Sequence, residues 1–328
     1  MRRRRLGRTG YEVSEIGFGA WGVGGAMWRG ATDDEGREAV RRALDLGVDF
    51  FDTALAYGDG HSEVILAEVL DERGARDRVV VATKIPPMDY GWPGKASTRL
   101  ARVFPLRHLV DSVEASLKNL RAEALAIEQL HVWNDAWLSD PTWPETREAM
   151  ERLRREGKVL HWGVSVNDHA PETALRLLED PLVETAQVIY NLFDRTPERA
   201  LFPRARERDL GVIARVPFDE GTLTGAIRAD TTFPSGDWRE RYFRGTRRAE
   251  AARRSEALRG LLGEEARTLP ELALRFCLSR EEVSTVIPGM RRPAHVEANA
   301  AVSDGRALSK GLLEALAEHA WDKNWYSA

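Results

Sequence analysis

Short apolar runs that do not alternate with polar residues recur along the chain, and the stretches between them return their apolar residues every three or four positions. The first pattern predicts strands buried on both faces; the second predicts amphipathic helices. Strands are read at 16–20, 48–51, 79–84, 125–133, 159–166, 184–191, 212–216 and 283–287. The first helix carries Val40, Ala43, Leu44 and Gly47 on one face behind the cap candidates Thr32 and Asp33. Further helices are read over 62–70, along Leu109, Val113, Leu117 and Leu120, over 142–155 with Pro144 harmless in its first turn, from near Pro171, over 198–208 and over 269–278. A hairpin of 3–6 and 13–16 around Gly7 and Gly10 precedes the first strand, and Leu308, Leu312, Leu313 and Leu316 mark an extra C-terminal helix. Strands alternating with helices in this way predict a parallel α/β fold, a (β/α)8 barrel of the TIM type. An open doubly wound sheet is the competing arrangement, but Gly22 to Gly25 do not form the Gly-x-Gly-x-x-Gly turn that it calls for. No Pro- or Ser-rich linker interrupts the 328 residues, so 1–328 is read as one domain.

Composition narrows the function classes. Hydrophobic residues make up 43% of the chain and charged residues 30%, which supports a large core under a charged surface and excludes a disordered chain. A net charge of −4 comes from intermixed signs, so no basic field favours nucleic acid as a partner. Arg2 to Arg5 read as a solvated edge strand, because no apolar run of signal-peptide or membrane length follows them, and no membrane partner is expected. The Arg- and Glu-rich stretch 228–258, around Trp238, Tyr242 and Phe243, reads as a solvated helical insert. The single cysteine, Cys277, lies among apolar residues; it cannot form an intrachain disulfide and suits a reducing cytoplasm.

The chemistry is written at the strand ends. The run 48–51 stops on a carboxylate, Asp52, and opens into a Gly-rich loop holding Tyr57; the strand at 79–84 finishes on Lys84, and His131 lies near the end of the next. In a barrel these ends converge on one face. A buried acid needs a cation, which Lys84 supplies, and Asp52 would in turn keep Lys84 protonated. A phenol titrates near pH 10, too high for an efficient acid at neutral pH; the ammonium beside it is expected to lower that value. A neutral His131 can orient a substrate oxygen. His61, His108 and His161 show no ligand spacing, and no metal is expected.

Asp52, Tyr57-Gly58 five residues on, Lys84 after the following strand and His131 after the one beyond it resemble the aldo-keto reductase family, and the likeness extends over nearly the whole chain. The resemblance implies reduction of aldehydes or ketones to alcohols by hydride transfer, with Tyr57 as general acid, a small-molecule carbonyl substrate, and NADP(H) in preference to NAD(H). On the cofactor side it implies Trp21; Ser165 in Gly163-Val164-Ser165; Asn167, one place beyond the family's position, which Val166 takes; and Gln187, whose amide suits a carboxamide. Arg215 stands where the family commonly has an aromatic residue, and its guanidinium can stack on a ring or meet a pyrophosphate. Gly221, Leu223 and Gly225 resemble the loop that passes over the pyrophosphate. Gly289, Arg291 and Asn299 resemble the adenosine-phosphate segment, with Arg292 as the alternative cation. Trp21, Trp28, Trp92 and Trp137 are candidates for an apolar pocket. Two other functions stay open: a cofactor-binding regulatory subunit with slow turnover, and a sugar or polyol dehydrogenase running the same residues in reverse.

Overall fold

The structure is a computed structural model that describes residues 1–25, 30 and 32–326. Trp28 lies outside the described residues. The chain opens with the hairpin β1 (Arg3–Arg5) and β2 (Glu12–Ser14), paired antiparallel. The barrel strands then follow in chain order: β3 (Phe18–Gly19), β4 (Phe50–Asp52), β5 (Val80–Ile85), β6 (Leu125–His131), β7 (Val159–Ser165), β8 (Val183–Ile189), β9 (Gly211–Arg215) and β10 (Val283–Val286). All eight are parallel neighbours in that order. Bridges from Ile16 to Val286 and from Gly19 to Gly289 join the first strand to the last, which makes the (β/α)8 barrel expected from the alternation.

Helices α1 (Asp33–Asp45), α2 (His61–Glu72), α3 (Leu100–Val103), α4 (Leu106–Leu120), α5 (Trp143–Arg155) and α6 (Leu201–Arg208) cover the sheet in turn. They are followed by α7 (Trp238–Tyr242), α8 (Arg247–Leu258), α9 (Leu269–Leu278), α10 (Pro293–Ala300) and α11 (Lys310–Ala317). Thr32 caps α1 as expected, with Glu35 reaching back to the Thr32 N–H at 3.0 Å. The predicted stripe of α4, Leu109, Val113, Leu117 and Leu120, is buried, each such side chain contributing about 1.5 to 3 kcal/mol.

The hairpin closes the amino-terminal end of the barrel. Leu6 and Val13 pack with Phe50, Val80, Ala82, Ile127, Ile213 and Ile287 in a floor cluster separate from the main core. The arginines of the hairpin are more than a solvated edge. Arg4 donates to the carbonyls of Leu278 (2.7 Å), Arg280 (3.0 Å) and Val283 (3.0 Å), so it caps the end of α9, and it pairs with Glu15 at 3.0 Å.

Two other expectations are corrected. After β7 the chain makes only short 3-10 turns, at Pro171–Ala174 and Leu177–Glu179, where an α-helix was read from Pro171. The Asp135 carboxylate accepts the N–H groups of Arg176 (2.6 Å) and Leu177 (3.0 Å), taking the donors that an α-helical ladder would use. The insert is also not simply solvated. Tyr242, Phe243, Ile227 and Ala251 form a third buried cluster, against which Phe233, Trp238, Trp325 and Tyr326 pack. Its few apolar residues were outnumbered in sequence by long charged side chains, whose stems cover apolar surface while their heads stay in water.

Leu6 has no exposed surface. Leu6→Ala should cost about 2 to 5 kcal/mol by opening a void in the barrel floor, read as a lower urea midpoint with an unchanged slope.

Candidate active site

Asp52 ends β4, Lys84 is the penultimate residue of β5 and His131 ends β6, so the parallel register brings all three to the same rim. Tyr57 is carried by the loop after β4, whose turns are fixed by Tyr57 N–H to Ala54 O (2.9 Å) and Gly60 N–H to Leu55 O (2.7 Å). The loop after β3 presses against it. A side chain at Gly58, which has φ of +67°, would lie 2.4 Å from Gly24 O, and one at Gly24 would lie 2.8 Å from the Tyr57 backbone. Contact between the two loops at this separation requires glycine on both sides, and it fixes the height of the phenol.

Lys84 is the hub. Its Nζ lies 2.7 Å from Asp52 Oδ1, 2.5 Å from Thr53 O and 3.3 Å from Tyr57 Oη, with no exposed side-chain surface. Burial alone would depress its pKa, but Asp52 and Tyr57 outweigh burial and hold the ammonium above the ordinary lysine value. The phenol departs from expectation. Burial at the rim pushes Tyr57 above its usual value, Lys84 draws it down and Asp52 pushes it up, with a net rise where a net lowering was expected. His131 is driven well below the ordinary imidazole value, first by burial and then by the charges of Lys84 and Arg215. Its ring meets Tyr57 edge-on at 6.4 Å and Trp92 at 5.3 Å, and its buried Nδ1 has no partner.

The residues singled out for the cofactor fall into distinct settings. Ser165 Oγ is buried without a partner. Asn167 spends its amide inside the protein: Oδ1 accepts Gly94 N–H at 2.8 Å, and Nδ2 faces the carbonyls of Gly94 (3.1 Å) and Trp133 (3.0 Å). Gln187 donates Nε2 to Asp52 Oδ2 at 2.6 Å. Arg215 donates to Val166 O (3.0 Å) and Asp168 Oδ1 (2.8 Å), and its Nε is buried without a partner. Gly221 and Gly225 have φ of +101° and +73°, and Leu223 between them is buried. Gly289 bridges Gly19, and its Cβ direction is open. Arg291 packs along Gly22, with Cδ 2.4 Å from where a Gly22 side chain would begin. Arg292 is engaged by Glu35 at 3.1 Å, and Asn299 is buried on α10.

Residues 15–320 match the description of the Aldo/keto reductase family. The chain belongs to that family. This aldo-keto reductase is 33% identical over 295 residues to the aldo-keto reductase YhdN of Bacillus subtilis, covering 88% of this chain and 85% of that one. It is 28% identical to an NADH-specific methylglyoxal reductase of Escherichia coli, covering 96% and 99%. Among solved structures it resembles the glycerol dehydrogenase AKR11B4 from Gluconobacter oxydans, with a TM-score of 0.79, 29% identity and coverage of 97% and 94%.

The orphaned Ser165 Oγ and Arg215 Nε, together with a buried Thr222 Oγ1 that also lacks a partner, are polar groups that would suit the nicotinamide cofactor of this oxidoreductase. Three contributors were missed in sequence. Gln129, the register partner of Lys84, faces Gln187 at 3.5 Å; its signal was a polar residue two places before His131 in an apolar run. Asp168 anchors Arg215 and directly follows Asn167. Arg239, within the insert, crowds Arg291 electrostatically while pairing with Asp237 at 2.7 Å. Of the tryptophans, Trp21 lies 6.3 Å from the Tyr57 ring and Trp92 flanks His131, but Trp137 is buried against Phe104 and Trp133 and does not face the rim.

The depressed His131 gives a pH prediction. The unfolded chain binds a proton on this imidazole below about pH 6.5 and the folded protein does not, so the residue costs stability as pH falls through that value. The unfolding free energy of wild type relative to His131→Asn should therefore fall between about pH 7 and pH 5, by at most about 1.4 kcal/mol per pH unit. Parallel urea midpoints across that range would mean that His131 ionises in the folded protein.

Proposed function

We propose that this oxidoreductase is an NADP(H)-dependent reductase of small aldehydes or ketones in which Tyr57 is the general acid. The observation that carries this reading is the contact of the Lys84 ammonium with Tyr57 Oη, backed by the pairing of the same ammonium with Asp52. The nicotinamide cofactor, when bound, supplies hydride, which no side chain can. Tyr57 gives its proton to the alkoxide that develops on the substrate, and Lys84 lowers the energy of the phenolate left behind. Its raised pKa keeps the phenol protonated at neutral pH, so the donor is loaded before each turnover. His131, held neutral, donates to the carbonyl oxygen and fixes its direction. Trp21 lies beside the Tyr57 ring and Trp92 beside that of His131, and such apolar neighbours suit a small carbonyl compound. The intact acid, phenol, ammonium and imidazole favour turnover over a purely cofactor-binding role. Oxidation of a polyol is the second reading, supported by the likeness to a glycerol dehydrogenase; it runs the same proton path in reverse.

Tyr57→Phe removes one hydroxyl and should lower turnover roughly a hundredfold to ten-thousandfold while cofactor binding persists. Retained wild-type turnover on a carbonyl substrate would exclude Tyr57 as the acid.

Support for NADP(H) comes from cations at the end of β10. Arg291 is held below the ordinary guanidinium value by burial and by the charges of Arg239 and Arg292, an arrangement that a phosphate dianion would relieve. One relative is named NADH-specific, so the choice rests on these residues. NADPH should bind roughly tenfold to a hundredfold tighter than NADH, as expected for a charge-assisted contact of about 1.5 to 3 kcal/mol. Arg291→Ala should remove that difference. Equal fluorescence affinities for the two cofactors in wild type would end this part of the reading.

A further inference from the structure

The segment after α11 reaches back over the barrel rim and grips the loop that follows β9 at two consecutive residues. Lys323 Nζ lies 2.6 Å from Asp219 Oδ1 and 3.1 Å from Tyr242 Oη, with side-chain exposures of 4% for Lys323 and 1% for Asp219. The ammonium is boxed by the rings of Trp325 (4.6 Å) and Trp321 (4.9 Å). Tyr326 Oη donates to the carboxylate of Glu220, the next residue of the loop. Asn324 donates to Asp168 O at 3.0 Å, and Asp168 is the residue that holds Arg215. The segment is itself anchored by Trp321 N–H to Phe193 O at 3.0 Å and by Arg247 to Trp325 O at 3.2 Å.

The loop that is gripped is strained. Val216, Asp219 and Glu220 have φ of +56°, +48° and +55°, a region that non-glycine residues, and valine above all, rarely occupy. Such a backbone persists only where its surroundings over-determine it, and here both acidic residues of the strained turn are tied to the terminal segment. A buried ammonium–carboxylate pair adds little net stability, but it fixes one arrangement against others. The loop leaves the site directly after Arg215, the last residue of β9, whose charge acts on both Tyr57 and His131. Asp219 Oδ2 and Thr222 Oγ1 lie buried in it without partners.

We propose that Lys323 and Tyr326 are positioning residues that hold the loop 216–225 in its strained form, and that this form sets how tightly the dinucleotide is kept. The inference rests on the function proposed above. Without the Lys323 ammonium, Asp219 becomes an unpaired buried carboxylate and the turn relaxes out of the left-handed region. The effect falls on cofactor retention, because neither residue reaches the phenol or the imidazole.

The test compares wild type with Lys323→Met, which keeps the apolar stem between the two indoles, and with Tyr326→Phe. NADPH affinity and dissociation rate are read by fluorescence, together with the KM for NADPH and kcat. Both variants should raise the Kd and the dissociation rate several-fold, Lys323→Met by about tenfold or more, with the larger change in KM than in kcat. Adding Asp219→Asn to Lys323→Met removes the stranded charge and should recover part of the loss. Wild-type Kd and dissociation rate in the variants would overturn the proposal, as would a loss confined to kcat. Should Lys323→Met fail to fold, Tyr326→Phe alone decides, since it removes only a hydroxyl. If wild type binds neither NADPH nor NADH, the functional reading falls and takes this inference with it, whereas binding in wild type with unaffected variants removes the inference alone.

Discussion

A protonated lysine enclosed inside a barrel is the constraint from which the rest of this site follows. Taking an ammonium out of water costs several kcal/mol unless its three donors are satisfied, and Lys84 directs them to a carboxylate, a backbone carbonyl and a phenol. Asp52 then needs its second oxygen satisfied, which Gln187 does from the far side of the barrel. Gln187 in turn faces Gln129. The polar layer at the top of the barrel is therefore one connected network, set above an apolar floor of Phe50, Val80, Ile127 and Ile213. The apolar floor gives the fold its closure, and the polar layer gives the rim its chemistry.

The same constraint sets the electrostatics. Lys84 is kept charged by Asp52 and Tyr57, the phenol is kept neutral by burial at the rim, and the imidazole is kept neutral by burial and by the cations around it. Proton positions are thus assigned by depth and neighbours. The phenol, neutral in the resting protein, keeps its oxygen 3.3 Å from the Lys84 ammonium, a neighbour that draws its pKa down.

Much of this was legible in the sequence, for a physical reason. Asp52, Lys84 and His131 interrupt or end runs that are otherwise apolar, and a charge at the end of a buried strand stands out because it is costly. The barrel was legible because each strand is apolar on both faces. What escaped reading depended on contacts between distant segments. The turns after β7 are set by Asp135, some forty residues earlier, and nothing in the local pattern signals that donors will be taken. The contacts of Asn167 show the same limit, since Gly94 and Trp133 lie far from it in sequence. The sign of the Tyr57 shift was misjudged because the neighbouring charge was visible in sequence and the degree of burial was not.

Asn167 has a consequence of its own. The loop between β5 and α3 carries Trp92 against His131, yet it is pinned from outside: Asn167 and Asn134 hold Gly94, and the Trp137 indole holds the Thr98 carbonyl at 2.7 Å. The loop is thus a removable module with fixed sockets. Its sequence can be exchanged to reshape the wall beside His131, provided that the backbone at Gly94 and Thr98 is kept in place for the three side chains that receive it.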